Sequence, residues 1–409
     1  MDLRPPPFVG LLAAVACIGA LLAWGSPLAS AHGSASANSS ARTHRLASAH
    51  GSVTRHARTR TRTRTRTRHA LPFATPSGYQ ATAHLTPSKY LAPGSQPSAL
   101  PSDVLIADRN NNRLIIVNPQ GNIVWQFPQP GDLAPGQTWL APDDAFFTPN
   151  GKDIIATQES QFTITEISVA THKILWQYGH PGVPGSAPNY LDNPDDAMML
   201  PNGDIITADI KNCRILVLDP PSHTPLKVIG ETTNYCYHQP PQRWGSPNGA
   251  FPMTNGQYLV TEINGDWVDE LNLATQAIGF ITNPPGFTYP SDTNEVSPNV
   301  FLSANYANPG AVEEFNASGA LLWRYAPTGA EALNQPSLAL PLPNGDVILN
   351  DDWNHRVIVV DPKTNQVVWQ YGHTGQPGSG PGYLDKPDGI DLAPPYSFTM
   401  VHKSTMGLP

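Results

Sequence analysis

PSLALPLPNGDVILNDDWNHRVIVVDPKTNQVVWQYGHTGQPGSGPGYLDKP, residues 336–387, decides how this chain folds. It holds four short apolar runs, at 337–342, 346–349, 356–360 and 366–371. Between them stand residues that turn a chain: Pro343-Asn344-Gly345, Asn354-His355, and Asp361-Pro362 with Asn365. Runs of strand length separated by turn signals leave no room for a helix, so the stretch reads as one four-stranded unit.

Copies of this unit fill most of the chain. A proline before a small or acidic residue and an apolar run recurs at Pro142, Pro194, Pro247, Pro290, Pro336 and Pro387, at spacings of 52, 53, 43, 46 and 51 residues. Pro290 is the weakest match and is placed by its spacing. Asn-Gly pairs follow at Asn150-Gly151, Asn202-Gly203, Asn255-Gly256 and Asn344-Gly345, a pairing that accepts the positive φ of a tight hairpin. A Trp marks the fourth run at Trp125, Trp176, Trp323 and Trp369, where a large flat ring suits packing between neighbouring sheets. Asp-x4-Arg spans the turn between the second and third runs at Asp108/Arg113, Asp209/Arg214 and Asp351/Arg356. Flanking one hairpin, each pair reads as a cross-strand ion pair, and its recurrence makes it scaffold.

The two ends complete each other. The first unit, 103–127, has only three runs, while 387–393 supplies a first run with no second. Joined, they make a sixth unit and leave no open sheet edge. The predicted fold is therefore all-β: a six-bladed β-propeller of four-stranded antiparallel blades, closed by a C-terminal inner strand that completes the N-terminal blade. Tyr383-Leu384-Asp385-Lys386-Pro387-Asp388-Gly389-Ile390, continued by Val104 through Arg113, resembles the NHL repeat of six-bladed propellers. The Trp-marked outer strands also resemble the repeats of quinoprotein-type (PQQ-like) propellers. The likeness covers roughly 102–395. It implies the fold more firmly than an activity, because NHL-like rings serve as sensors, scaffolds, lyases and lactonases.

Charge divides the chain. The first 101 residues hold 11 Lys and Arg and one acid, Asp2; of the chain's 24 basic and 32 acidic residues, 13 and 31 are left for the remainder, a net of −18. Arg4, an apolar run over 8–24 and Ala29-Ser30-Ala31 make residues 1–31 a secretory signal peptide, cleaved after Ala31 or kept as an N-terminal anchor; Cys17 offers lipidation as a further alternative. Residues 32–101, rich in Ser, Thr, Arg and Pro and with strict Arg/Thr alternation over 58–68, read as a disordered linker. It serves as a spacer or as a basic contact to an anionic cell-envelope polymer. The propeller occupies 102–395 and a tail 396–409. An exported, extracellular or cell-surface monomer is expected. An acidic body argues against nucleic acid as a partner. Export favours a disulfide between Cys213 and Cys236, which fall on one face.

The connectors between blades crowd one face of the ring, which makes it the candidate working surface for a protein, glycan or small-molecule ligand. His180 with Tyr190 and His373 with Tyr383 occupy the twin loops 179–195 and 372–388, and His238 and Trp244 lie on the connector between blades 3 and 4. These six are the candidate ligand-binding residues. Carboxylates at the starts of first strands and the ends of second strands should gather at the axial mouth. Asp144, Asp196, Asp209, Glu262 and Asp292 are the candidate cation ligands, and Ca2+ the candidate occupant, although the fold requires no cofactor. Convergence of three or more such oxygens on one axial point would favour a cation-dependent hydrolase or lyase of the lactonase type over a binding module. A quinoprotein is a weaker third reading, since its carboxylate-rich cofactor wants basic residues that the body has few of. No serine elbow, HExxH or phosphate loop is present.

Overall fold

The computed structural model describes residues 85–402, 404 and 406, apart from 285. The signal-peptide or anchor segment 1–31 and most of the linker lie outside the described residues. Among the described residues no helix is long and apolar enough to cross a membrane.

Six four-stranded antiparallel sheets form, each built from strands consecutive in sequence except for blade 1. There Pro387–Leu392 pairs with Val104–Asp108, with Val104 opposite Leu392 and Ile106 opposite Ile390. The remaining first strands are Ala145–Phe147, Pro194–Met199, Pro247–Pro252, Pro290–Ser297 and Ala339–Pro341. Pro290, the weakest mark in the sequence, opens the first strand of blade 5. From blade 1 through blade 6 each first strand touches the next, and the ring closes where Val347–Asp351, the second strand of blade 6, meets Pro387–Leu392. Strands alternate polarity, so chain reversals sort onto two faces, with the blade connectors on one and the Asn-Gly turns on the other.

The core lies between sheets. Leu105, Leu114 and Phe147 meet between blades 1 and 2; Ile155, Ile164 and Leu216 between blades 2 and 3; Leu302, Val312 and Ile358 between blades 5 and 6. The outer-strand tryptophans lock these seams with hydrogen bonds as well as area. Trp125 Nε1 donates to Val169 O at 2.9 Å, Trp176 to Pro220 O at 2.8 Å, Trp323 to Asn365 Oδ1 at 2.9 Å and Trp369 to Pro119 O at 2.9 Å. Each acceptor lies on the next blade. Blade 3 has Lys227 in this place, and its Nζ donates to Leu273 O on blade 4 at 2.8 Å.

The Asp-x4-Arg pairs form as cross-strand bonds, from Arg113 Nε to Asp108 Oδ2 at 2.7 Å, and from Arg214 to Asp209 and Arg356 to Asp351 at 2.8 Å each. The same aspartates accept from an asparagine three residues on (Asn111, Asn212 and Asn354) and, through the other oxygen, from a connector amide. Arg113 and Arg214 then reach carbonyls in the twin loops, at Ser379 and Tyr383, and at Ser186 and Tyr190. One buried charge pair thus anchors both a hairpin and the loop arriving from the preceding blade.

Two boundaries read from the sequence need correction. The linker does not run to 101: within 85–101, Ala92 N donates to Gln370 O and Gln96 N to Val368 O, adding a strap to the outer strand of blade 6. Leu91 and Leu100 are buried. Residues 396–402 are not a free tail either. Phe398–His402 is helical, and Phe398 lies against Phe146 and Phe251, with ring centroids at 6.2 and 5.2 Å. Asp391 holds this segment by accepting from Phe398 N and Leu392 N at 2.8 Å and Phe147 N at 2.9 Å. Composition suggested disorder in the first of these segments, but a few apolar side chains meeting a preformed surface suffice to hold both in place.

Trp369→Phe keeps an aromatic side chain but removes the donor to Pro119 O together with the second ring of a fully buried indole. It is expected to destabilise the protein by roughly 1–3 kcal/mol, the cost of leaving a buried polar group unpaired. A lower urea midpoint at unchanged slope checks this; an unmoved midpoint would show that the seam does not depend on the bond.

Candidate functional site

The second residue after each phase-marking proline forms a ring around the axis: Asp144, Asp196, Gly249, Asp292, Leu338 and Gly389 in blades 2 to 6 and 1. One oxygen from each of Asp144, Asp196 and Asp292 lies within 4.8 Å of the other two. All three residues are buried, and neither Asp196 oxygen nor Asp144 Oδ1 has a hydrogen-bond partner. Gly249 makes this approach fit. A Cβ there would stand 2.4 Å from Asp196 Oδ2 and 2.9 Å from Asp292 Oδ1, distances that no side chain tolerates. Two residues further along their strands, Phe146 and Phe251 stack edge to face at 5.8 Å, and Phe398 packs on both. The carboxylates therefore sit above an apolar floor.

Above them opens a cavity of about 120 Å³. Its lining includes the carboxylates Asp143, Asp144, Glu159, Asp195, Asp292 and Asp388, with only Arg109 and Lys386 as countercharges. Arg109 reaches Asp143, Asp388 at 2.6 Å and Glu159 at 2.7 Å. Asn248 Nδ2 donates to Ser291 Oγ at 3.1 Å and to Asp292 Oδ1 at 3.3 Å. Tyr289 and Tyr306 face one another at 5.2 Å between ring centroids. Asn305, which replaces the scaffold aspartate in blade 5, accepts from the Tyr289 amide at 3.1 Å.

Removing charged groups from water disfavours ionisation, and like charges nearby disfavour it further. Burial, then the carboxylates of Asp292 and Asp388, push Asp144 well above the usual carboxylate range. Burial, then Asp292 and Asp144, do the same to Asp196; burial, then Asp144, to Asp195. Asp292 is raised chiefly by burial, and so is Asp352, beside Asp388. Burial also raises Tyr289 and Tyr306, which stay protonated and able to donate. Such a set awaits positive charge: a proton shared between carboxylates, or a cation.

The structure brings together three of the five candidate cation ligands. Asp209 is not among them, because Arg214 and Asn212 hold it back in the scaffold. Glu262 is likewise off the axis, where His238 Nδ1 lies 2.8 Å from its Oε1. The candidate ligand-binding residues disperse. His180 stacks on Tyr190 and His373 on Tyr383, each within its own loop at 4.3 Å, and none of the four lines the axial cavity. Trp244 is not on the surface: it is fully buried, its Nε1 donating to Ile229 O at 3.0 Å. Cys213 and Cys236 are joined by a disulfide.

Sequence reasoning missed Arg109, Tyr289 and Tyr306. Arg109 and Tyr306 each follow the scaffold position at a second-strand end, alongside Glu159, Ile210 and Asp352 in other blades. That column varies from blade to blade while the preceding one repeats, and the variation is the signal that could have found it.

No protein-family model matches the chain, and no curated protein does. Among solved structures, a protein of unknown function from Bacteroides caccae superposes with a TM-score of 0.50 at 17% identity, over 71% of this chain and 97% of that one. Streptogramin B lyase matches with a TM-score of 0.41 at 17% identity, over 58% and 70%. U3-55K matches with a TM-score of 0.42 at 13% identity, over 56% and 64%. At these identities the likeness concerns the fold alone.

Acids whose pKa is raised on folding bind more protons folded than unfolded. Their stabilising contribution is complete below the ordinary value of 3.8 and is lost as pH climbs through the raised values. In chelator, Asp196→Asn, a neutral mimic, is therefore expected to melt increasingly above wild type as pH rises from about 5 to about 8. Calorimetry across that range checks it; a gap that narrows with pH would contradict the assignment.

Proposed function

We propose that this chain is an exported NHL-like propeller that binds its ligand at the connector-rich mouth through a hard divalent cation of the Ca2+ class. The observation that carries the reading is the convergence of Asp144, Asp196 and Asp292 over the gap at Gly249. Ca2+ accepts carboxylate oxygens at about 2.3–2.6 Å, so three oxygens that lie within 4.8 Å of one another share one ion after side-chain shifts of, roughly, at most a few tenths of an ångström. Oxygens without donors fit a cation better than they fit solvent. Asp144, Asp196 and Asp292 would hold the ion, which supplies a positive centre with coordination positions open to an oxygen-bearing ligand. Arg109 and Lys386 add charge for an anionic group, and the two tyrosines add donors. The Cys213–Cys236 disulfide supports export. The basic N-terminal arm fits a tether to an anionic envelope polymer.

By the criterion set out from the sequence, the same convergence of three carboxylates also favours a second reading, a cation-dependent hydrolase or lyase, with Arg109, Tyr289 and Tyr306 lining the cavity beside the ion. Turnover of a lactone or ester that requires Ca2+ and vanishes in Asp292→Asn selects this reading. Ca2+-dependent retention of a ligand without product selects the first.

Ca2+ added at about 100 times its dissociation constant should stabilise the full chain by about 2.7 kcal/mol. Asp292→Asn and Gly249→Ala are expected to abolish that rise in calorimetry. Asp292→Asn should also melt higher than wild type without metal, because it removes a buried like charge. Absence of any Ca2+-dependent shift in wild type would overturn the proposal.

A further inference from the structure

Blade 4 breaks the repeat at three places that meet. Its second strand, Tyr258–Glu262, ends on Glu262 where blades 1, 3 and 6 have Asp108, Asp209 and Asp351. Opposite Glu262 stands Trp267, where those blades pair the aspartate with arginine. Two residues further, Asp269 lies opposite Val260, a place taken by Leu216 in blade 3 and Ile358 in blade 6. A carboxylate thus stands where blades 3 and 6 have aliphatic side chains; blade 5 also has a carboxylate at this position, Glu313, but Arg324 meets it at 3.2 Å, and among the described residues no arginine or lysine pairs with Asp269.

His238 comes over from the connector to fill the place of the lost arginine. Its Nδ1 lies 2.8 Å from Glu262 Oε1 and 3.7 Å from Asp269 Oδ2, with the imidazole stacked on Trp267 at 4.5 Å. One imidazole thus faces two buried carboxylates. Asp269 is completely buried, and neither of its oxygens has a hydrogen-bond partner. The other Glu262 oxygen is fixed by the Gly245 amide. The loop bearing His238 is held in advance by the Cys213–Cys236 disulfide and by Asn264, which donates to Cys236 O at 2.9 Å.

We infer that His238, Glu262 and Asp269 form a second metal site, away from the axis, for one divalent transition ion of the zinc class. One nitrogen and two carboxylate oxygens lie within 4.8 Å of one another. An imidazole with few oxygens suits Zn2+ and its neighbours and fits poorly with Ca2+, which takes six to eight oxygens. The Gly245 amide and the Trp267 ring orient the ligands, as outer partners do in such sites. His238 is the member that reaches solvent, with 21% of its side chain exposed, so the ion enters from the connector side. Bound there, it would staple the connector from blade 3 onto blade 4.

The test is Zn2+ binding to the chelator-treated full chain in excess Ca2+, by calorimetry, with Co2+ absorption as a spectroscopic readout of imidazole coordination. Histidines of the N-terminal arm give a background common to every variant, so the difference between variants is read. His238→Gln and Asp269→Leu are expected to weaken the specific event about 100-fold or more and to remove the Co2+ bands. Asp269→Leu places there the side chain that blade 3 has at Leu216, and His238→Gln changes a partly exposed loop, so at least one variant remains folded. Asp292→Asn should leave Zn2+ binding intact, which separates this site from the axial one. No Zn2+ uptake by wild type, or uptake by both variants equal to that of wild type, would overturn the inference.

Discussion

The pairing of Val104–Asp108 with Pro387–Leu392 is the contact on which the rest depends. It joins residues nearly the whole length of the domain apart, and it converts five complete blades and a three-stranded remnant into a ring. Without it, two sheet edges would face water. It also builds the site. Gly389 packs against Asp144, and Asp388 meets Arg109, only because the C-terminal strand returns to blade 1. Both terminal segments reinforce this seam. The strap runs along the outer strand of blade 6 and places Leu91 against Gly121 of blade 1, while Asp391 anchors the C-terminal helix beneath the axis.

The chain handles buried carboxylates in two ways. In the scaffold each aspartate meets arginine, asparagine and a backbone amide, so charge is matched and geometry fixed. On the axis, and again in blade 4, carboxylates face one another with too few donors. The latter arrangement opposes folding unless something positive arrives. A fold with ample inter-blade packing tolerates that opposition, which is characteristic of sites rather than of scaffolds.

Legibility followed the range of the interactions. Strands, turns, the Trp locks and the Asp-Arg pairs were readable because each rests on residues a few positions apart, repeated often enough to be recognised. Asp144, Asp196 and Asp292 were also readable, since a known fold puts the starts of first strands at one mouth. Arg109 and Tyr306 were not, because they stand one residue beyond a repeating position that attracted the assignment. Trp244 was misread because a connector residue looks exposed until the neighbouring blade covers it. Glu262 and Asp209 share a repeat position yet have different fates, and only the partner arriving from elsewhere, His238 or Arg214, separates them.

The sequence by itself determined the blade and the number of blades, because alternation, turn chemistry and repetition act within or between adjacent segments, and the closure of the ring, because its two ends carry complementary fragments of one unit. Tertiary structure decided which carboxylates share a site, which are neutralised, and which flanking residues pack onto the ring. Those outcomes depend on distances of a few ångströms between side chains from different blades, and on burial, which strengthens each unmatched charge. Neither quantity is written in any single stretch of the chain.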